Sequence, residues 1–379
     1  MNYPIDASRQ LFQLEEGLTY LNCANMSPLL HTVREAGLQA LDTRATPWKI
    51  TAADWFTQAE VLRKLAGAVF QTKGDNIALV PSVSYGMAAA AKNLSMKPGQ
   101  EIIVLENQFP SNYYVWEQLA RGQQLQLITI PRSQEQNLTD SILAAINSHT
   151  GLVAIPNCHW MDGACIDLEA VSDAIKKVGA YLVLDLSQSL GVLPIDIERI
   201  QPDFAVSVGY KWMLGPYGLG YLYVAPKWQE EGEPLEYSWL TKKGAEDFAG
   251  LTNYKVGYRD GARRFDMGEF SQFNLLPMCI AALQQIIHWE PAAIQQQLTT
   301  LTDKIVAYKK EKGIGNNSVE RFVGHMSSIP LGNIDVAALK KRLEQNKVIV
   351  SFRGSSIRVA PHLYNDLGDL DNLLACLEG

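Results

Sequence analysis

Two side chains of opposite charge close apolar runs of the kind that build buried strands. Leu182-Val183-Leu184 ends in Asp185, and Phe204-Ala205-Val206-Ser207-Val208 runs through Gly209-Tyr210 into Lys211-Trp212. A carboxylate at the end of an apolar strand is costly to bury unless a cation meets it. Ligands of α/β sheets bind beyond the carboxyl ends of the strands, the edge at which both residues emerge. A lysine in an apolar, aromatic setting stays neutral long enough to attack a carbonyl carbon. The pair suits either a buried Asp–Lys salt bridge, the commoner arrangement, or a site that handles an aldehyde.

Pyridoxal 5'-phosphate (PLP) makes that double demand. It needs a lysine for its aldehyde carbon and an acid that keeps its ring nitrogen protonated, so that the ring draws electrons from the substrate. Its phosphate wants N–H groups at a helix N-terminus. Val80-Pro81-Ser82-Val83-Ser84-Tyr85-Gly86-Met87 reads as a strand, a hydroxyl-bearing turn and a helix, with Ser84 both capping the helix and meeting phosphate, and Tyr85 beside it. The ring needs an apolar face, and Phe109 follows the strand Glu101–Leu105 closely enough to supply it. Taken singly, Ser84 reads as a plain cap and Phe109 as core. Together with Asp185 and Lys211 they compose a cofactor site.

The elements that would hold these residues alternate. Apolar runs at Ile77–Val80, Glu101–Leu105, Leu125–Ile130, Leu152–Ile155, Tyr181–Leu186 and Phe204–Val208 read as strands. Gly86–Leu94, Tyr113–Leu119, Leu138–Ala145 and Leu168–Val178 read as intervening helices. That order predicts an α/β fold, a mainly parallel sheet covered on both faces, with Tyr221–Val224 adding a hairpin strand. The glycine-punctuated stretch 229–264 reads as long loops. Beyond it, helices at Met278–Ile287, Ala293–Lys310, Val336–Gln345 and Asp369–Leu377, with strands at Ile329–Pro330, Val348–Phe352 and Ser356–Val359, predict a smaller α+β C-terminal domain. The expected division is a large PLP-binding domain over 16–264 and a small one over 265–379, with 1–15 packing on the latter.

Bulk properties narrow the partners. The chain has 379 residues, 47% hydrophobic and 19% charged, enough apolar material for a large core. A net charge of -7 without a basic run argues against nucleic acid or an anionic membrane. No apolar stretch approaches the roughly 20 residues of a membrane helix, and the opening residues lack a secretory pattern. Five scattered cysteines read as reduced thiols of a cytoplasmic protein, and six dispersed histidines give no metal motif.

In order and spacing, these segments resemble the class V aminotransferase group of fold-type-I PLP enzymes, which includes cysteine desulfurases, kynureninases and isopenicillin-N-epimerase-like proteins. The resemblance spans nearly the whole chain. Tyr20-Leu21-Asn22-Cys23-Ala24-Asn25 is similar to the segment passing near substrate, which implies a substrate contact at Asn25. Phe109-Pro110-Ser111 resembles the segment whose phenylalanine stacks on the cofactor, and His159-Trp160-Met161-Asp162-Gly163 the one lining its other side, through Trp160. Asp185-Leu186-Ser187-Gln188 is similar to the acid segment, with Gln188 near the ring hydroxyl. Ser207-Val208-Gly209-Tyr210-Lys211 is similar to the Schiff-base lysine segment, with Tyr210 or Ser207 reaching phosphate. Gly268-Glu269-Phe270-Ser271-Gln272 resembles the stretch that reaches the partner subunit's cofactor, which implies a homodimer and a role for Ser271. Arg358-Val359-Ala360-Pro361-His362 resembles the motif whose arginine holds a substrate carboxylate, with Arg264 as the competing candidate.

The departures matter too. No cysteine lies between Cys279 and Cys376, where a desulfurase carries its nucleophile, and Gln188 replaces the histidine usual in kynureninases. The implied activity is chemistry at the α-carbon of a small amino acid or amine, with amino-group transfer leading. Epimerisation or racemisation is the alternative, as is a lyase or hydrolase with an extra base among Tyr237, Lys242, Lys243, Tyr254 and Tyr258. A PLP-binding regulatory module is the reading outside enzymology.

Overall fold

The computed structural model describes residues 5–133, 135–314 and 319–378. A short strand β1 (Thr19–Tyr20) leads into helices α1 (His31–Arg44) and α2 (Asp54–Val69). The alternating section follows: β2 (Ile77–Val80), α3 (Val83–Asn93), β3 (Glu101–Leu105), α4 (Tyr114–Gln123), β4 (Gln126–Ile130) and α5 (Leu138–Ala145). It continues with β5 (Thr150–Pro156), α6 (Leu168–Val178), β6 (Tyr181–Asp185), α7 (Ile197–Ile200), β7 (Phe204–Val208) and β8 (Gly220–Val224). After α8 (Pro226–Glu231) the chain runs through short 3-10 turns to α9 (Leu276–Trp289) and α10 (Pro291–Glu311). The tail comprises β9 (Ser327–Pro330), α11 (Val336–Gln345), β10 (Val348–Ile349), β11 (Ser351–Arg353), β12 (Ser356–Val359) and α12 (Leu367–Glu378).

Seven strands form one sheet in the order β2-β8-β7-β6-β5-β3-β4. The neighbours from β7 to β4 run parallel, and β8 lies antiparallel between β7 and β2, the hairpin expected from the glycine-rich turn. Strand periodicity sends alternate side chains to opposite faces, and both faces are apolar here. Ile103, Val153, Leu184 and Tyr221 enter one core, while Ile102, Leu152, Val183 and Leu222 enter the other. This double burial is why the strands read as unbroken Val/Ile/Leu runs.

The expected strand Val348–Phe352 is two strands. β10 pairs in parallel with β1, and β11 pairs antiparallel with β12. The chain changes partner at Val350 because the N-terminal segment threads between the two pairings: the Leu21 N–H donates to Ile349 O and the Cys23 N–H to Ala360 O. Farther upstream, the Ser8 hydroxyl donates to Leu363 O at 2.8 Å, and Arg9 pairs with Asp369 at 2.9 Å. Helix α9 packs on α1 and α2, so the chain beyond 264 first returns to the large sheet's surroundings before building the tail.

A buried ion pair fastens the loop after Phe265 to the sheet. Arg63 of α2 is 1% exposed and meets Asp266, which is fully buried, through both guanidinium arms. Asp266 also accepts from the Leu79 N–H at 2.8 Å. Removing one partner of such a pair leaves an uncompensated buried charge. Asp266→Asn is expected to lower stability by about 3–5 kcal/mol, read as an earlier denaturant midpoint.

Candidate active site

A cleft of about 220 Å³ opens at the carboxyl edge of the parallel strands. Five strand ends contribute to it: Ser82 and Ser84 after β2, Phe109 and Asn112 after β3, Cys158 and Trp160 after β5, Asp185 at the end of β6 with Gln188 beyond it, and Tyr210 and Lys211 after β7. Tyr217 and Gly218 close it from the turn before β8.

Lys211 is 7% exposed, and burial lowers its pKa to about 8, helped by Arg358 and Arg353 and opposed by Asp185. Asp185 is 6% exposed, and burial raises its pKa against the pull of Ser187 and Lys211. Both groups line the cleft, yet they do not close into an ion pair. A salt bridge would have offset both desolvation costs, and here desolvation prevails on each side. The Lys211 amine instead lies 5.4 Å from the Phe109 ring centroid and 5.8 Å from that of Tyr210. Its loop is folded tightly by Gly209, where a Cβ would stand 2.7 Å from Leu219 O.

At the other end, the cap of α3 is Ser82 rather than Ser84. Ser82 is extended and its hydroxyl accepts from the Tyr85 N–H at 3.2 Å, which is the N-cap geometry. Ser84 sits one turn position inside, with its hydroxyl 2.9 Å from that of Ser82. The first-turn N–H groups of a helix have no intrahelical acceptor, and Val83 and Ser84 line the cleft. Gly86 lets α3 lie against the sheet, since a Cβ there would come within 2.7 Å of Val206 Cγ2. Phe109 and Trp160 meet edge to face at 5.5 Å, and the Trp160 indole N–H donates to Asn107 O at 2.7 Å.

PLP fits this cleft by its chemistry. A buried carboxylate without an ion-pair partner, an amine whose pKa burial lowers, an aromatic wall and a hydroxyl-lined helix start correspond to its ring nitrogen, aldehyde, ring face and phosphate.

Other expected contacts lie outside the cleft in the single chain. Ser207 points to the opposite sheet face from the cleft-lining Val208, as neighbours on a strand must, and its hydroxyl donates to Val208 O at 3.2 Å. Tyr85 turns its hydroxyl toward Asp266 O. Asn25 is exposed on the turn after β1. Ser271 donates to Trp55 O beside a separate hollow of about 670 Å³ lined by Trp55 and Trp239. Gln188 reaches the cleft, but its amide N–H donates to Ala24 O and its oxygen accepts from the Trp212 indole.

Arg358 lies behind the cleft wall, 1% exposed. One arm donates to Trp160 O at 2.7 Å, while Nε and Nη2 have no partner. Burial lowers its pKa to about 9, with Arg353 adding to the effect. Arg264 donates from Nη1 to the Glu230 and Gly232 carbonyls, has a buried Nε without a partner, and does not line the Lys211 cleft. None of Tyr237, Lys242, Lys243, Tyr254 and Tyr258 lines the Lys211 cleft. The sequence reading missed Ser82, Asn112 and Tyr217. For Ser82 the signal was present, an extended Pro-Ser step just before the helical run.

Fold and cleft together define a fold-type-I PLP enzyme. A sequence profile described as Aminotransferase class-V matches residues 45–365, and the chain belongs to that family. Over 360 residues it is 26% identical to an uncharacterized aminotransferase, YcbU, of Bacillus subtilis, covering 94% of this chain and 93% of that one. It is 25% identical to isopenicillin N epimerase of Streptomyces clavuligerus, covering 87% and 85% of the two chains. Among solved structures, an apo cysteine desulfurase from Thermococcus onnurineus superposes with a TM-score of 0.83 at 19% identity, covering 98% of this chain and 96% of that one. The cystine C–S lyase C-DES, in complex with cysteine persulfide, gives 0.83 at 18% identity, covering 96% and 97%. Among the described residues no helix is long and apolar enough to cross a membrane, and no cluster of His, Cys, Asp or Glu is arranged for a metal ion.

Proposed function

We propose that the enzyme transfers the amino group of a small α-amino acid, with Lys211 and Asp185 at the cofactor and Arg358 at the substrate carboxylate. The observation that carries this reading is Arg358: a buried guanidinium with two nitrogens lacking partners is stabilised by an incoming carboxylate. Bound PLP supplies an aldehyde carbon for the substrate amine and a ring that takes up electrons released at Cα. Lys211 would hold the aldehyde carbon and would move the proton at the substrate Cα. Asp185 keeps the proton on the ring nitrogen. Ser82, Ser84 and the start of α3 hold the phosphate. Phe109 and Trp160, in contact with each other, would form one aromatic wall that excludes water from a ring face. Tyr210 closes the cleft beside Lys211.

Epimerisation uses the same opening steps, and the relative from Streptomyces clavuligerus supports keeping it as the second reading. Desulfuration is disfavoured. Cys376 is buried in α12, and burial pushes the thiol of the cleft-lining Cys158 well above its usual range, so neither serves as a ready nucleophile. The proposal includes a cytoplasmic homodimer, in keeping with five free cysteines and with exposed Tyr237, Tyr254 and Val256 on the 229–264 loops. In that dimer Ser271 would approach the partner's cofactor and Asn25 the substrate entrance. It also divides the chain into a cofactor unit over 16–264 and a smaller unit over 265–379, with the segment before 16 tied to the latter.

The test is Arg358→Lys, assayed with an amino acid and with its decarboxylated amine. Lysine lacks the planar fork that pairs with a carboxylate through two bonds. Affinity for the amino acid should fall by ~2 kcal/mol, the order of a lost charged hydrogen bond, with the amine and PLP occupancy unaffected. Equal losses for both compounds remove Arg358 from the substrate site.

A further inference from the structure

Cys158 and Cys165 are separated in sequence by a turn, and the fold brings them face to face. The His159 N–H donates to Ala164 O at 2.8 Å, and the Ile166 N–H donates to Asn157 O at 2.9 Å. These two bonds flank an antiparallel bridge between Cys158 and Cys165, which makes them a non-hydrogen-bonded pair. In such pairs the Cα atoms stand about 4.5 Å apart and both side chains leave the ladder on the same face. That spacing lies within the range a disulfide spans, roughly 4.4–6.8 Å. The hairpin is held from both sides: Arg132 donates twice to Asp162 in the turn, and the Cys165 N–H donates to Arg321 O at 2.7 Å. Both thiols are free, Cys165 is partly exposed, and Cys158 lines the Lys211 cleft.

We propose that Cys158 and Cys165 form a redox-modification site, a dithiol that hydrogen peroxide or another hydroperoxide converts to a cross-strand disulfide on the cleft wall. The sulfur of the more accessible Cys165 attacks one peroxide oxygen, giving a sulfenic acid and one water, or one alcohol where the oxidant is an organic hydroperoxide. The Cys158 sulfur then attacks the Cys165 sulfur. An S–S bond forms, and the departing hydroxide leaves with the Cys158 proton as a second water. One peroxide is reduced by two electrons, and the two thiols lose them. Closing the bond turns the Cys158 sulfur toward Cys165 and reshapes the wall next to Trp160. Burial raises both thiols, so the reaction is slow at neutral pH and quickens as pH rises. This chemistry stands whichever reaction Lys211 runs.

The test treats holoenzyme with hydrogen peroxide at alkaline pH and counts thiols after denaturation. Of the five cysteines, two should disappear together and return with dithiothreitol. Proteolysis before Asp162 separates the two cysteines, so the disulfide should appear as a linked peptide pair carrying Cys158 and Cys165. Cys165→Ser should abolish both the linkage and the paired loss, and Cys279→Ser should leave them intact. Retention of all five thiols, oxidation of Cys165 to sulfinic acid with Cys158 still free, or linkage through another cysteine overturns the proposal.

Discussion

Replacing Lys211 with alanine is expected to leave a folded protein that binds PLP only reversibly and turns over at least 10²–10⁴-fold more slowly, the range attributed on the order of magnitude to a positioned acid–base group. Borohydride should fix the cofactor to Lys211 of the native chain and to no residue of the variant, read as a mass addition on one peptide. The amine's setting adds a pH signature. Burial brings Lys211 to about 8, and only the neutral amine attacks an aldehyde. A group with a lowered pKa loses its proton as pH rises through that value. PLP uptake by the apoprotein should therefore accelerate up to about pH 8 and level off above it, whereas an ordinary lysine would keep accelerating to about 10. Uptake that keeps rising beyond pH 9 removes the buried-amine argument.

How far such features were legible depends on what each one needed. The strands that deliver Asp185 and Lys211 were plain because both sheet faces are buried and the runs are unbroken. Helix α2 also leaves a mark, with Phe56, Ala59, Leu62, Ala66 and Val69 spaced for one buried face, and it adds to the helices expected from sequence. Helix α1 left almost none: only Val33 and Ala40 are buried, while Leu38 and Leu41 are exposed. The cap at Ser82 was misplaced by two residues because two serines compete for one helix start and only backbone angles decide between them. Arg358 stands out through its motif, but its place behind Trp160 follows from the pairing of β12 with β11 and β9, which the sequence does not encode locally. The facing of Cys158 and Cys165 depends likewise on hairpin register, so they read as scattered thiols.

Asp185→Asn separates the two roles of the cleft's acid because its effects on turnover and on cofactor capture have opposite signs. The carboxylate's negative charge stabilises a proton on a ring nitrogen, and an amide of the same shape cannot. Turnover should fall on the order of 10²–10³-fold, comparable with deleting one preorganised electrostatic contact in a dry site. The fold should survive, since an uncharged amide is cheaper to bury than a carboxylate that burial already disfavours. Lys211 responds differently. Asp185 raises the amine's pKa against the lowering by burial, so removing the charge lets the pKa drop further below about 8. The midpoint of PLP uptake by the apoprotein should therefore move to lower pH in the variant, even as catalysis is lost. A variant damaged only in its folding would lose both functions and shift neither midpoint. A variant that keeps near-native kcat on a confirmed substrate makes Asp185 a structural acid, and an uptake midpoint that stays in place shows that Asp185 and Lys211 do not share a field.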